Sequence, residues 1–222
     1  MLKEGVIMTK NMYSLILTDA VVERIDRLAY EKGISRSQMI DHLLAKEVGL
    51  STPEQQTRLI VRHTADRMSA ATPALQMHVR SDQGSIEVAT YVKFKYNPSI
   101  KYSFDIINNQ GRPFGILKVS SRSTSADLRG HLDAFLQLLA AIDQQYMQLF
   151  MISNQNEDVT GRFLRTIGLP RLFEKTDDPE VIAERLSRWI LLIDDAMQAY
   201  FNALWSPLRQ QEVLNIYLKN TT

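Results

Sequence analysis

The chain has 222 residues, no cysteine, 45% hydrophobic and 23% charged residues, and a formal net charge of +1. Such a chain suits one large globular domain or two smaller ones. Its lack of cysteine excludes disulfides, thiolate zinc sites and thiol nucleophiles, and no run of about 18 apolar residues is present to span a bilayer. Met1 to Met12 has no continuous apolar stretch before a small-residue cleavage site, so no secretory leader and no membrane partner are expected. Charge is unevenly spread. Residues 57–130 carry eleven Lys/Arg against five Asp/Glu, a balance of +6, whereas residues 131–222 carry eight against twelve, a balance of −4. A basic middle within a near-neutral chain predicts a local anionic partner.

Met12-Tyr13-Ser14-Leu15-Ile16-Leu17 is short and β-prone, and Thr18-Asp19 follows as a helix start with an acid in its first turn. Val21, Val22, Ile25, Leu28 and Ala29 then recur at helical spacing up to Lys32. Gly33 stands where a left-handed helix C-cap belongs. Ser35 opens a second helix whose apolar positions are Met39, Ile40, Leu43, Leu44 and Val48, and Gly49 closes it. Fifty residues with one lone strand make too little core to stand alone. A twin chain that pairs its strand with this one supplies the missing core.

This pattern resembles the ribbon-helix-helix superfamily. The residues that carry the resemblance are Leu15-x-Leu17-Thr18 and Gly33-Ile34-Ser35-Arg36-Ser37-Gln38-Met39-Ile40, the latter close to the family's G-x-S-R-S-E-x-I signature. The resemblance covers about residues 10–49 and implies an intertwined homodimer, or a higher homo-oligomer, that binds DNA. It places the paired strands in the major groove and a backbone phosphate at the N-terminus of the second helix. Ser35, Arg36 and Ser37 are then the expected phosphate clamp. Tyr13, Leu15 and Leu17 face inward, leaving Met12, Ser14 and Ile16 outward toward the bases, with Lys10 at the ribbon's edge. The outward set departs from the family's usual Arg, Lys, Thr, Asn or Gln, because Met12 and Ile16 form no hydrogen bonds to bases. Transcription regulation, as a repressor, and plasmid or phage DNA maintenance are the roles implied, with a cytoplasmic, nucleoid-associated location.

Residues 54–222 read as a second, α+β domain. Thr52 caps a helix with Pro53 at its first position, running to about Ala71. Strands are predicted at Leu75–Arg80, Ile86–Tyr96, Lys101–Ile107 and Gly115–Ser120, separated by turn signals. A helix from about Ser125 to Asp143 and a strand over Met147–Ile152 follow. Residues 158–219 are expected to be helical, most clearly from Pro179 to Leu204. There Ile182, Leu186, Trp189, Ile190, Ile193, Met197 and Phe201 form one stripe, read as a core or dimer face. Alternation along Ile86–Tyr96 sets Ile86, Val88, Thr90, Val92, Phe94 and Tyr96 on a core face. Glu87, Ala89, Tyr91, Lys93 and Lys95 lie on the other. Lys93, Lys95, Lys101 and Arg122 are candidate contacts to DNA or an acidic ligand. This domain is also the expected site of a small-molecule or protein effector.

The element order of residues 54–152 is similar to that of the PD-(D/E)XK nuclease core, on Phe104-Asp105-Ile106-Ile107 and Ile116-Leu117-Lys118. That resemblance puts Asp105 and Lys118 at the catalytic Asp and Lys positions, with Ile116 where the metal-binding Glu belongs. An isoleucine ligates no metal, so magnesium would be required only if this resemblance extends to nuclease activity. The alternative places Asp105 and Lys118 in a cross-strand ion pair. His42, His63, His78 and His131 lack metal-ligand spacing, and no other cofactor is expected.

Overall fold

The computed structural model describes residues 11–50, 52–72, 75–80, 84–109, 112–153 and 163–221, the side chains of residues 108, 109 and 112 excepted. Lys10 lies outside the described residues. The fold is α+β, with six helices and a six-stranded antiparallel sheet among the described residues. None of the helices is long and apolar enough to cross a membrane.

Helices α1 (Asp19–Lys32) and α2 (Arg36–Glu47) form a hairpin whose turn is built as the sequence predicts. Gly33 takes φ 63°, a conformation costly for residues with a Cβ. The Ile34 amide then reaches back to the Ala29 carbonyl at 3.0 Å, closing α1 in the Schellman manner. Ser35 starts α2 with a capping box: its Oγ accepts from the Gln38 amide at 3.3 Å, and its own amide donates to Gln38 Oε1 at 3.0 Å. Buried apolar residues of the hairpin are Ile25, Ala29 and Met39, flanked by Leu28, Ile34 and Ile40, in a cluster separate from the main core.

The predicted strand at Met12–Leu17 carries no regular secondary structure in the single chain. An isolated strand has nothing to receive its backbone hydrogen bonds, so it forms no ladder by itself. All six of its residues are exposed, Tyr13 at 79%. Met12 and Ile16 are fully exposed, at 99% and 104%, whereas Leu15 and Leu17 stand at 57% and 40%.

Helix α3 (Pro53–Ala71) begins at a second capping box between Thr52 and Gln55. Strands β1 (Gln76–Arg80), β2 (Ser85–Tyr91), β3 (Ser99–Asn109) and β4 (Arg112–Ser121) follow as a meander. Then come α4 (Ala126–Tyr146), β5 (Met151–Ile152), β6 (Phe163–Leu169), α5 (Pro179–Asn202) and α6 (Arg209–Thr221). The sheet order is β1-β2-β3-β4-β6-β5.

Three expectations are corrected. The stretch 158–219 is not wholly helical: Phe163–Leu169 is a strand inserted between β4 and β5. The strand expected at Met147–Ile152 shrinks to Met151–Ile152. The strand expected at Ile86–Tyr96 ends at Tyr91, because Tyr96 and Asn97 take φ of 68° and 44° in a turn. Lys93 and Lys95 therefore sit on a turn rather than a strand face, and Tyr96, assigned to the core, is 88% exposed.

One sheet face carries Ile86, Val88, Ile100, Tyr102, Phe104, Leu117, Val119, Phe163 and Ile167, all buried in the main core together with helical residues. α5 packs against this face, with Tyr102 Oη donating to Asp194 Oδ1 at 3.1 Å. Its stripe, including Ile182, Leu186, Trp189, Ile190 and Ile193, belongs to this core, and α3 and α6 pack against the same helix. Asp143 at the end of α4 ties the layers together. It accepts from Tyr217 Oη at 2.6 Å and from the amides of Leu149 and Phe150 at 2.8 and 3.0 Å. The opposite sheet face is half-exposed, the usual one-sided burial of an antiparallel sheet.

Candidate functional site

Two places gather the residues singled out in the sequence. The first is the start of α2. Ser35 is consumed by capping, so its hydroxyl and amide serve the helix. The amides of Arg36 and Ser37 have no acceptor among the described residues. They point out of a helix N-terminus that has no acidic residue in its first turn, an arrangement suited to an anion. Arg36 lies beside them but is engaged. Its Nε and Nη2 each donate to the Asp26 carboxylate at 2.6 Å, a two-point fork between α2 and α1. The hydrogen bond and charge of Arg36 hold the Asp26 carboxyl below its usual range, and Asp26 in turn raises the guanidinium. Both groups stay half-exposed, at 56% and 44%. Met12, Ser14 and Ile16 are all exposed.

The second place is one end of the sheet. Antiparallel register sets Lys101 opposite Ser120 and Ile100 opposite Ser121, so the start of β3 lies beside the end of β4. β6 completes the floor, with Leu164 opposite Ser120. An open cleft of about 570 Å³ results, lined by Lys101, Arg122, Ser99, Ser120, Ser123 and Leu164 among others. Lys101 Nζ donates to Glu87 Oε2 at 3.3 Å. Arg122 is exposed and forms no ion pair among the described residues. Ser121 and Ser123 are used in a chain of bonds that leads into α4: Ser121 Oγ donates to the Ser99 carbonyl, and Ser123 Oγ accepts from the Ser125 amide. The Ser99 and Ser120 hydroxyls have no partner among the described residues.

Of the four second-domain residues expected to act together, the fold thus joins Lys101 and Arg122 in one cleft. Lys93 and Lys95 stay on the exposed β2–β3 turn, where Lys95 Nζ lies 5.2 Å from the Tyr96 ring centre. The serines were missed by sequence reasoning. Their signal was the run Ser120-Ser121-Arg122-Ser123-Thr124-Ser125 immediately before a helix.

Asp105 and Lys118 meet on the half-exposed sheet face, with Lys118 Nζ donating to Asp105 Oδ2 at 2.9 Å. Lys118 stands opposite Ser103, so this is a diagonal cross-strand pair, and Ile116 is the residue directly opposite Asp105. Glu87 and Lys101 make the equivalent diagonal pair between β2 and β3.

Comparison with protein-family models, curated proteins and solved structures gives no match to this chain.

Proposed function

We propose that this protein is a homodimeric, DNA-binding regulator of ribbon-helix-helix type. In this reading two chains pair their Met12–Leu17 segments, and the α2 N-termini grip the phosphate backbone. The observation that carries the proposal is the apolar surface left uncovered on the α1–α2 hairpin and on the segment that precedes it. Leu15, Leu17, Val21, Leu43, Leu44 and Val48 are all at least 38% exposed, against three buried apolar residues inside. Exposed apolar area on this scale favours association by about 25 cal/mol per Å² buried. His42 is buried on α2, and its Nε2 has no hydrogen-bond partner among the described residues.

Pairing two β-prone segments antiparallel would satisfy their free backbone groups and turn Met12, Ser14 and Ile16 outward together. Those residues supply methyl contacts and one hydroxyl, which suits thymine-rich major grooves better than guanine contacts. Affinity would then rest chiefly on phosphates, through the Arg36 and Ser37 amides and the Arg36 side chain. The α+β part supplies further oligomer contacts or a ligand response.

The test is a mobility-shift assay on duplex DNA from upstream of the protein's own gene. A salt-sensitive shift that is lost in Arg36→Ala supports the reading; an undiminished shift in that variant removes the proposed clamp.

A further inference from the structure

The cleft at the end of β3, β4 and β6 is not needed for the clamp on α2, and its lining has its own chemistry. We infer that it is a binding site for the phosphate group of a small phosphomonoester.

Four donors line it, two at the start of β3 and two at the end of β4. Arg122 offers an uncommitted planar fork, and Lys101 offers an ammonium of which one hydrogen goes to Glu87. Ser99 and Ser120 add hydroxyls with no partner among the described residues. Register explains their meeting: Lys101 and Ser120 are cross-strand partners, and Ser99 and Arg122 are the residues just beyond the last pair of the ladder, Ile100 and Ser121. Donors spread around a concavity suit a tetrahedral oxyanion, whose oxygens point in several directions. A carboxylate, with two oxygens in one plane, would leave part of that set unused.

Glu87 lies close by and already shares Lys101 at 3.3 Å. It biases the site toward a strongly charged group able to compete for that ammonium. The cleft volume of about 570 Å³ exceeds what a bare phosphate fills and lies within the range of ligand pockets. Pro98 and Leu164 give the remainder an apolar wall. Because β4 runs directly from this cleft through the Ser121–Ser125 bonds into α4, occupancy would order the start of that helix.

A phosphodiester of DNA carries the same chemistry, and the experiment separates the two sources. Isothermal titration calorimetry is performed on the full chain with inorganic phosphate and with adenosine monophosphate, using wild type, Arg122→Ala, Ser120→Ala and Arg36→Ala. Thermal melts establish that each variant is folded. Saturable binding of adenosine monophosphate, weakened about tenfold or more by Arg122→Ala and unaffected by Arg36→Ala, is the expected result. If the small phosphates do not bind but Arg122→Ala lowers the salt slope of duplex binding by about one, the cleft takes a phosphate from DNA instead. That arm rests on the DNA reading above, whose own failure is reported separately by Arg36→Ala. If neither small-phosphate nor duplex binding changes in folded Arg122→Ala and Ser120→Ala, the inference is overturned.

Discussion

The guanidinium of Arg36, at the first position of α2, is clasped by the carboxylate of Asp26 on α1 through two bonds of 2.6 Å. The residue best placed to meet a phosphate therefore already has an anionic partner on its own chain. Under the proposed function, a DNA phosphate would either share the guanidinium, whose five donors exceed the two that Asp26 uses, or displace the carboxylate. Asp26→Ala separates this role from simple bracing of the hairpin. Duplex affinity is expected to rise several-fold in Asp26→Ala, as Arg36 is freed, and to fall about tenfold in Arg36→Ala. Anisotropy titrations at one fixed ionic strength decide it. Equal losses in the two variants would assign the pair to holding α1 against α2.

Stability should depend heavily on Asp143, which is 2% exposed and receives three hydrogen bonds. Asp143→Ala strands the amides of Leu149 and Phe150 and the Tyr217 hydroxyl in the core, a loss of about 3 kcal/mol or more. Tyr217→Phe removes one donor and is expected to cost about 1–2 kcal/mol. Urea denaturation at neutral pH measures both. A smaller loss for Asp143→Ala than for Tyr217→Phe would contradict the arrangement.

Asp194 gives a pH signature. Burial raises its carboxyl above the ordinary value of 3.8, and bonds from Tyr102, Thr90 and Gln198 recover only part of that. The folded protein thus keeps a proton that the unfolded chain releases. Its stabilising contribution is complete at acid pH and is lost as pH rises from 3.8 through the raised folded value. Asp194→Asn retains an acceptor for Tyr102 and cannot titrate, so its stability should decline less over that window. Asp26 acts in the opposite sense. Its lowered carboxyl adds stability above the unfolded value, which is lost as pH falls through the folded one. Thermal melts across the acid range, compared between wild type and Asp194→Asn, check the first claim; parallel profiles would refute it.

The diagonal pair of Lys118 and Asp105 has side chains about two-fifths exposed, at 42% and 40%. Solvent screening limits its value, and a double-mutant cycle with Asp105→Ala and Lys118→Ala should give a coupling of about 0.2–1 kcal/mol. A coupling several times larger would show that the pair does more than brace the sheet face.

What was legible in the sequence was local. Gly33, Ser35 and the Thr52-Pro53 pair announce helix boundaries through backbone chemistry that needs no distant partner, and each boundary is found there. β6 was hidden because Arg165 interrupts the buried face of Phe163, Ile167 and Leu169. That arginine is tolerated by an ion pair of 2.8 Å with Asp133 on α4, a partner no local pattern reveals. Apolar alternation also continued past the true end of β2. Phe94 stays half-buried in the turn, edge-on to His131 and Phe201, so it imitates a strand residue. Lys101 and Arg122 were readable as basic residues, but their meeting depends on the β3–β4 register. Met12–Leu17 reads as a strand from its β-prone residues, but the single chain offers it no neighbouring strand, and the segment is exposed and without regular structure.

Under the proposed function, two chains associate through the N-terminal hairpin to bind DNA. Sedimentation velocity of the full chain with a fluorescent duplex, in wild type and Leu44→Glu, follows assembly and binding together. The wild-type chain is expected to sediment as a dimer that carries the duplex at low salt and releases it at high salt, and Leu44→Glu as a folded monomer that leaves the duplex free. A wild-type chain that sediments as a monomer while the duplex travels alone would contradict it.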